Sequence, residues 1–308
     1  MKIPPPARLI DIGGRRLHVD VRGKGSPAVV LEAGIAASSL SWCLVQNRIA
    51  EFTTAISYDR AGFGWSDPPP HRCTAADAAR DLSLLLDRLE IDGPVVLAGH
   101  SFGGLIARVF EQSYPARAAG LILVDPVSRS EWRDPDEKRK RMLAHGIALS
   151  RRGAALAQLG VVGFALKLLL SGSRTIPKLL AKASAGRGAS VTERLTGEVR
   201  KMPRELWPAI AGHWSEARCF RAMGDSLEHL SESAGQIDES RQLGDLPLTV
   251  LSAATAWAPV LEEHEHDAGL STRGEHLIIA GAGHWLQLDA PGAVADAIGR
   301  VVGSASRA

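Results

Sequence analysis

Aromatic residues make up only 5% of this 308-residue chain, and just two of them are tyrosine, Tyr58 and Tyr114. Cysteine is equally scarce: Cys43, Cys73 and Cys219 lie far apart and form no Cys-x-x-Cys pair. An odd, scattered set excludes a disulfide framework and a thiolate zinc site, and reads as the reduced thiols of a cytoplasmic protein. Net charge is nearly absent, +2 from 36 basic and 34 acidic residues, so nothing electrostatic calls for a nucleic acid partner. Long apolar runs are missing as well. The most apolar stretch, 154–170, is interrupted by Gln158, Lys167 and two glycines, which falls short of a membrane span and gives little reason to expect binding to a membrane surface. The start, Met1-Lys2-Ile3-Pro4-Pro5-Pro6, lacks the apolar core of a signal peptide. No Gly-rich phosphate loop with its lysine occurs, and Gly99–Gly104 does not have dinucleotide spacing, so no cofactor is expected.

What remains is an ordinary globular composition, 45% hydrophobic and 23% charged, long enough for one large α/β domain or two small ones. Charge is unevenly spread. Residues 127–188 carry 13 Lys/Arg against 4 Asp/Glu, and residues 225–275 carry 2 against 11. Two solvated faces of opposite sign are the preferred reading, with the segments facing each other, or the basic one meeting an anionic surface, as the alternatives.

Residues 8–22 alternate in polarity around Gly13-Gly14, a hairpin pattern. Short apolar runs then recur at Ala28–Glu32, Thr54–Tyr58, Pro94–Ala98 and Gly120–Val124, each closed by Gly or Asp. Between them lie helical patterns, one N-capped by Thr74 and running to about Leu89, another from Gly104 to Tyr114. Continuous apolar runs alternating with helices indicate a parallel sheet covered on both faces. The alternation stops after Pro126. Residues 127–240 read as helical, with a loop at Ser184–Gly188, before strands resume at Pro247–Leu251 and His276–Ile279 and a last helix runs from Pro291 to Val302.

Gly99-His100-Ser101-Phe102-Gly103 fits G-x-S-x-G between a buried strand and a helix. A nucleophile on so sharp a turn needs small residues two positions to either side, and the turn aims the Phe102 N–H at a reacting oxygen. On this motif the chain resembles the α/β-hydrolase family. Leu31-Glu32-Ala33-Gly34-Ile35 is similar to the family's oxyanion loop, which would make Ile35 N–H the second donor, although Ala33 stands where the family has His. Tyr58-Asp59-Arg60-Ala61-Gly62-Phe63-Gly64-Trp65-Ser66-Asp67 looks like its D-x-x-G-x-G-x-S segment, with a structural role. The resemblance implies an α/β-hydrolase fold: a mostly parallel eight-stranded sheet with helices on both faces and a helical cap inserted after the sixth strand. The core would be residues 1–126 and 241–308, the cap 127–240.

A serine hydroxyl needs a neighbouring base. His284, in Gly281-Ala282-Gly283-His284-Trp285, stands where the family carries its catalytic histidine. The acid departs from the common pattern. It usually follows the strand that resumes after the insertion, but Leu251–Ala258 holds no carboxylate. Asp125, at the end of the preceding strand, is the best candidate, with Glu262 or Glu263 as fallbacks. His264 and His266, among Glu262, Glu263, Glu265 and Asp267, could form a metal site, but a solvated helix face is the preferred reading, and no metal is expected.

Apolar residues at helical spacing in the insertion (Leu156, Leu159, Val162, Phe164, Leu168, Leu169, then Ile176, Leu179 and Leu180) would line an apolar pocket or join the cap helices. Phe164, Leu168, Trp207 and Trp214 are the substrate-contact candidates. Epoxide hydrolases of this fold use an Asp nucleophile and cap tyrosines, and the insertion has no Tyr. Ser101 therefore points to the serine-dependent members, and a carboxylesterase acting on a small or medium apolar ester is the broadest expectation. Carbon–carbon bond hydrolases, acyltransferases, cofactor-free haloperoxidases and a slow-turnover ligand-binding protein on the same fold are the alternatives.

Overall fold

The computed structural model describes residues 6–70, 72, 74–170 and 197–306. Cys73, the Ser184–Gly188 loop, Ile176, Leu179, Leu180 and the side chain of Leu169 lie outside the described residues. Cys43 and Cys219 are free thiols, and burial pushes them up to about 11 and about 12.

The core is one eight-stranded sheet in the order β1-β2-β4-β3-β5-β6-β7-β8. β1 (Arg8–Asp11) and β2 (Arg16–Arg22) form the expected hairpin, with Gly13 and Gly14 at φ of 105° and 89°. β2 runs antiparallel to β4 (Ala55–Tyr58). From β4 onward, β3 (Val29–Glu32), β5 (Val95–His100), β6 (Ala118–Val124), β7 (Leu248–Ala253) and β8 (Gly274–Ile279) are all parallel. Every residue of β3, β4, β5 and β7 is buried, which is why those strands read as unbroken apolar runs.

Helices cover both faces. On one side α1 (Cys43–Ile49) packs through Val45 and Ile49. On the other, α2 (Ala75–Arg88) packs through Leu82, Leu85 and Leu86. Thr74 and Asp77 close a reciprocal capping box at the start of α2. α3 (Phe102–Ser113) begins at Phe102, two residues before the sequence pattern suggested. Gly103 and Gly104 are poor helix formers, yet the turn after β5 requires them there.

Between β6 and β7 the described residues form helices: α4 (Arg129–Arg133), α5 (Glu137–Gln158), α6 (Val161–Leu170), α7 (Trp207–Trp214), α8 (Ala217–Glu228) and α9 (Leu230–Gly235). α5 packs along α8, where the bare backbone of Gly153 leaves room for the Phe220 ring. α8 also meets the loop after β4, with Ala222 against Gly62. After β7 come α10 (Ala258–Ala268), α11 (Leu286–Asp289) and α12 (Pro291–Ala305), the last one turn longer than its sequence pattern.

The basic and acidic segments do face each other. Arg129 pairs with Asp267 at 2.6 Å, Arg133 with Glu239 at 2.8 Å and Arg151 with Glu228 at 3.5 Å. Only the first pair is buried; the exposed two contribute little to stability. Among the described residues, no helix is long and apolar enough to cross a membrane.

Candidate active site

Ser101 sits between β5 and α3 with φ 54° and ψ −117°, a backbone conformation that L-residues avoid. Its surroundings hold it there. Ser101 N–H donates to Val124 O at 3.0 Å, and Ser101 O accepts from Gly104 N–H at 2.9 Å and Val127 N–H at 3.3 Å. A Cβ on Gly99 would strike the backbone of Gly103, and one on Gly103 would strike Glu32 O. A Cβ on Gly104 would come within 2.8 Å of Pro126 Cβ. The glycine spacing is therefore a steric demand at three successive contacts.

Asp125 follows β6 and also has positive φ, 43°. Its N–H donates to Leu251 O at 2.7 Å. Asp125 Oδ1 accepts from Ala253 N–H at 2.9 Å, and Oδ2 lies 2.6 Å from His284 Nδ1. The acid is 10% exposed and the imidazole 51%, so the carboxylate is the covered end of the pair and the ring the open end. Burial opposes ionisation of Asp125. The His284 hydrogen bond, the charge of that ring and the Ala253 N–H outweigh it and hold the carboxyl below the usual carboxylate range.

His284 lies on the loop after β8. His100 Nε2–H donates to His284 O at 2.8 Å, and the two rings lie 4.8 Å apart. Burial, aided by the nearby His284, pushes His100 down to about 3, so its ring is a neutral donor. Gly283 N–H donates to Asp289 Oδ2 at 2.8 Å, and Asp289 is paired with Lys201 from the segment before α7. The sequence reading assigns the His100 side chain a structural role without naming its partner, and the Gly283–Asp289–Lys201 brace lay outside that reading. The signal for His100 was its place beside Ser101; Lys201 had none. Among the described residues, Ser101 Oγ and His284 form no hydrogen bond with each other.

The loop from Ala33 to Ala36 is held by Arg60. Its guanidinium donates to Glu32 Oε1 at 2.6 Å, to Gly34 O at 2.7 Å and to Ala33 O, while Tyr58 O–H also donates to Glu32. Burial raises the Glu32 carboxyl despite these partners. Among the described residues, the N–H groups of Phe102 and Ile35 have no backbone partner outside the regular elements. Asp59, in the same segment, accepts from Ser39 N–H at 2.7 Å and Trp65 N–H at 3.0 Å, and faces His18 Nδ1 at 2.9 Å. Burial works against its charge, but these partners hold it at about 2.

The fallback acids are elsewhere. Glu263 accepts from Arg129 N–H at 2.6 Å and Ser128 O–H at 2.5 Å at the start of α4, and Glu262 is exposed. His266 is exposed on α10. His264 is not on a solvated face, contrary to the sequence reading. It is 1% exposed and bonded to Ser252 Oγ at 2.7 Å and Pro126 O at 3.0 Å. Of the substrate-contact candidates, Phe164 points outward at 59% exposure. Trp207 donates to Met202 O at 3.1 Å, Trp214 packs edge-on against Phe220, and Leu168 is half-buried on α6.

A buried strand, a serine on a strained turn and an imidazole backed by a carboxylate lie together at the C-terminal ends of the parallel strands of an α/β sheet. The chain matches the alpha/beta hydrolase family over residues 29–297, and it belongs to that family. It is 35% identical over 114 residues to lipase LipV of Mycobacterium tuberculosis, covering 36% of this chain and 41% of that one. The chain spans well under half the length of curated relatives that it matches. Among solved structures, it is similar to a mutant of a putative epoxide hydrolase from Pseudomonas aeruginosa, with a TM-score of 0.72, 21% identity and coverage of 97% and 96%. It is also similar to an esterase from Thermogutta terrifontis, with a TM-score of 0.58, 23% identity and 94% of each chain covered. At these identities the likeness concerns the fold.

Proposed function

We propose that the protein is a serine hydrolase, a carboxylesterase that cleaves an apolar ester of small or medium size through an acyl-enzyme. The observation that carries this reading is the 2.6 Å contact of Asp125 with His284 Nδ1, beside a serine on a strained turn. Asp125 holds the hydrogen on Nδ1 and leaves Nε2 free to accept. Ser101 Oγ attacks the ester carbonyl as His284 Nε2 takes its proton, and the N–H groups of Phe102 and Ile35 receive the developing oxyanion. His284 then returns the proton to the leaving alkoxide, and water repeats the sequence on the acyl-enzyme. The Ser–His hydrogen bond is commonly loose before substrate arrives.

Residues 127–240 act as the cap in this reading, with Phe164, Leu168, Trp207 and Trp214 as its substrate-facing candidates. An epoxide hydrolase of this fold attacks with a carboxylate, which position 101 does not supply. The LipV relationship supports ester chemistry. Hydrolysis of p-nitrophenyl acetate and butyrate by the wild type, abolished in Ser101→Ala, is the expected result. Equal rates for the two proteins would remove the proposal. A single stoichiometric burst without turnover would favour a ligand-binding protein on the same scaffold.

A further inference from the structure

Among the described residues outside the candidate active site, His264 is a fully buried histidine that bonds through both ring nitrogens. It lies on α10, and its imidazole reaches under the end of β6. Nε2 is 3.0 Å from Pro126 O, and Nδ1 is 2.7 Å from Ser252 Oγ on β7. Ser252 Oγ is in turn 2.7 Å from His276 Nε2 on β8. The three elements are brought together by the sheet, with Ser252 and Ala253 paired to Ile278 and Ile279.

The hydrogens in this chain have one consistent arrangement when both rings are neutral. A carbonyl oxygen can only accept, so His264 Nε2 carries hydrogen and donates to Pro126 O. His264 Nδ1 is then an acceptor, which requires Ser252 O–H to donate to it. Ser252 Oγ is left to accept from His276 Nε2–H. The direction runs from the edge strand toward the peptide that follows Asp125.

That peptide is a sensitive place. Asp125 has φ 43°, which must be maintained by its neighbours. On the N-terminal side its own N–H is tied to Leu251 O at 2.7 Å. On the C-terminal side, Pro126 offers no N–H, and its carbonyl accepts from His264 Nε2–H at 3.0 Å. Val127 N–H donates to Ser101 O, and Pro126 Cβ lies where a Cβ on Gly104 would clash. A turn of the Pro126 peptide would therefore shift both Asp125 and the serine turn.

We infer that His264 is a positioning residue for the Asp125–His284 pair, acting through Pro126 O, and that Ser252 and His276 fix which of its nitrogens donates. This rests on the triad reading above and extends it to the face of the sheet edge away from substrate. Glutamine can place an amide N–H near the position of Nε2; phenylalanine fills the space and offers no donor.

The test is made on the full chain with two readouts. The first needs no substrate: the low-field proton resonance of a short His284 Nδ1–H to carboxylate bond, assigned by its disappearance in Asp125→Asn. The second is p-nitrophenyl butyrate turnover. His264→Phe is expected to lose or broaden the resonance and lower kcat on the order of 10- to 100-fold, with KM within about twofold. His264→Gln is expected to recover most of both. A folded His264→Phe with wild-type resonance and kcat overturns the inference, and so does a folded His264→Gln as impaired as the Phe variant. If His264→Phe does not fold, Ser252→Ala replaces it: the resonance should weaken and kcat fall severalfold, and no change in either overturns the inference. A wild type without esterase activity whose resonance still responds to these changes removes the ester reading and leaves the positioning role standing.

Discussion

Replacing Asp125 by Asn tests the proposed triad through a single atom. The side chain keeps its size, but only one of its two ends can now accept. Ala253 N–H, 2.9 Å from Oδ1, needs an acceptor, and the amide oxygen is the only choice. The opposite flip would set the amide NH₂ against a buried N–H, leaving a donor unsatisfied at a cost of about 1–3 kcal/mol. The amide NH₂ therefore takes the place of Oδ2, 2.6 Å from His284 Nδ1. Nδ1 must then accept, and the ring hydrogen moves to Nε2, where it blocks removal of the Ser101 proton. Other triads trapped in this tautomer lose roughly 10⁴ in kcat, a barrier increase of about 5 kcal/mol. The assay is p-nitrophenyl butyrate hydrolysis at neutral pH, with melting curves to show that the variant is folded. A folded Asp125→Asn within tenfold of the wild type would refute the reasoning, and loss in Glu263→Ala instead would reassign the acid.

The remaining predictions concern the scaffold. Gly103→Ala drives a methyl into Glu32 O at the point where the serine turn meets the loop from Ala33 to Ala36, so it should lower stability by roughly 1–3 kcal/mol and impair turnover; unchanged melting and unchanged rate would contradict the steric argument. His100 and His213 are held neutral by burial, at about 3 and about 4, below an ordinary value of 6.5. Between those limits the unfolded chain binds the protons and the folded chain does not. Stability from these two groups is therefore complete above about pH 6.5 and lost as pH falls, at about 1.4 kcal/mol per pH unit for each. Urea denaturation from pH 7 down to pH 5 should show it, with a shallower decline in His213→Gln; an unchanged slope in that variant would sink the assignment.

The sheet was legible because burial on both faces leaves strands such as Val29–Glu32 and Val95–His100 with nothing polar to hide their pattern. The serine turn was legible for a different reason: close approach fixes glycine at 99, 103 and 104, so sterics are written directly into residue type. The contact of Asp125 with His284 could be anticipated only through the family resemblance, which places an acid at one of two strand ends, of which only Asp125 offers a carboxylate. His264 could not. Its neighbours Glu262, Glu265 and His266 are exposed, and a local window therefore reads the helix as solvated. Its partners Ser252, His276 and Pro126 come from three other segments. The hold of Arg60 on Ala33 and Gly34 was hidden likewise, since a guanidinium that serves two carbonyls and a carboxylate looks in sequence like any arginine in a loop.

β6 and β7 are adjacent parallel strands, paired from Leu121 and Leu248 onward, although more than a hundred residues separate them along the chain. The inserted segment leaves the C-terminal end of β6 and returns to the N-terminal end of β7, so both of its ends are anchored in one stitched seam, and Asp125 is itself one of the stitches, through Leu251 O and Ala253 N–H. Lengthening a segment whose two ends are already anchored by the sheet costs little, about 0.6 kcal/mol for each doubling. Descendants of this chain are free to trade one set of inserted helices for another, as a tool handle accepts different heads, while the seam and its strand ends stay as they are.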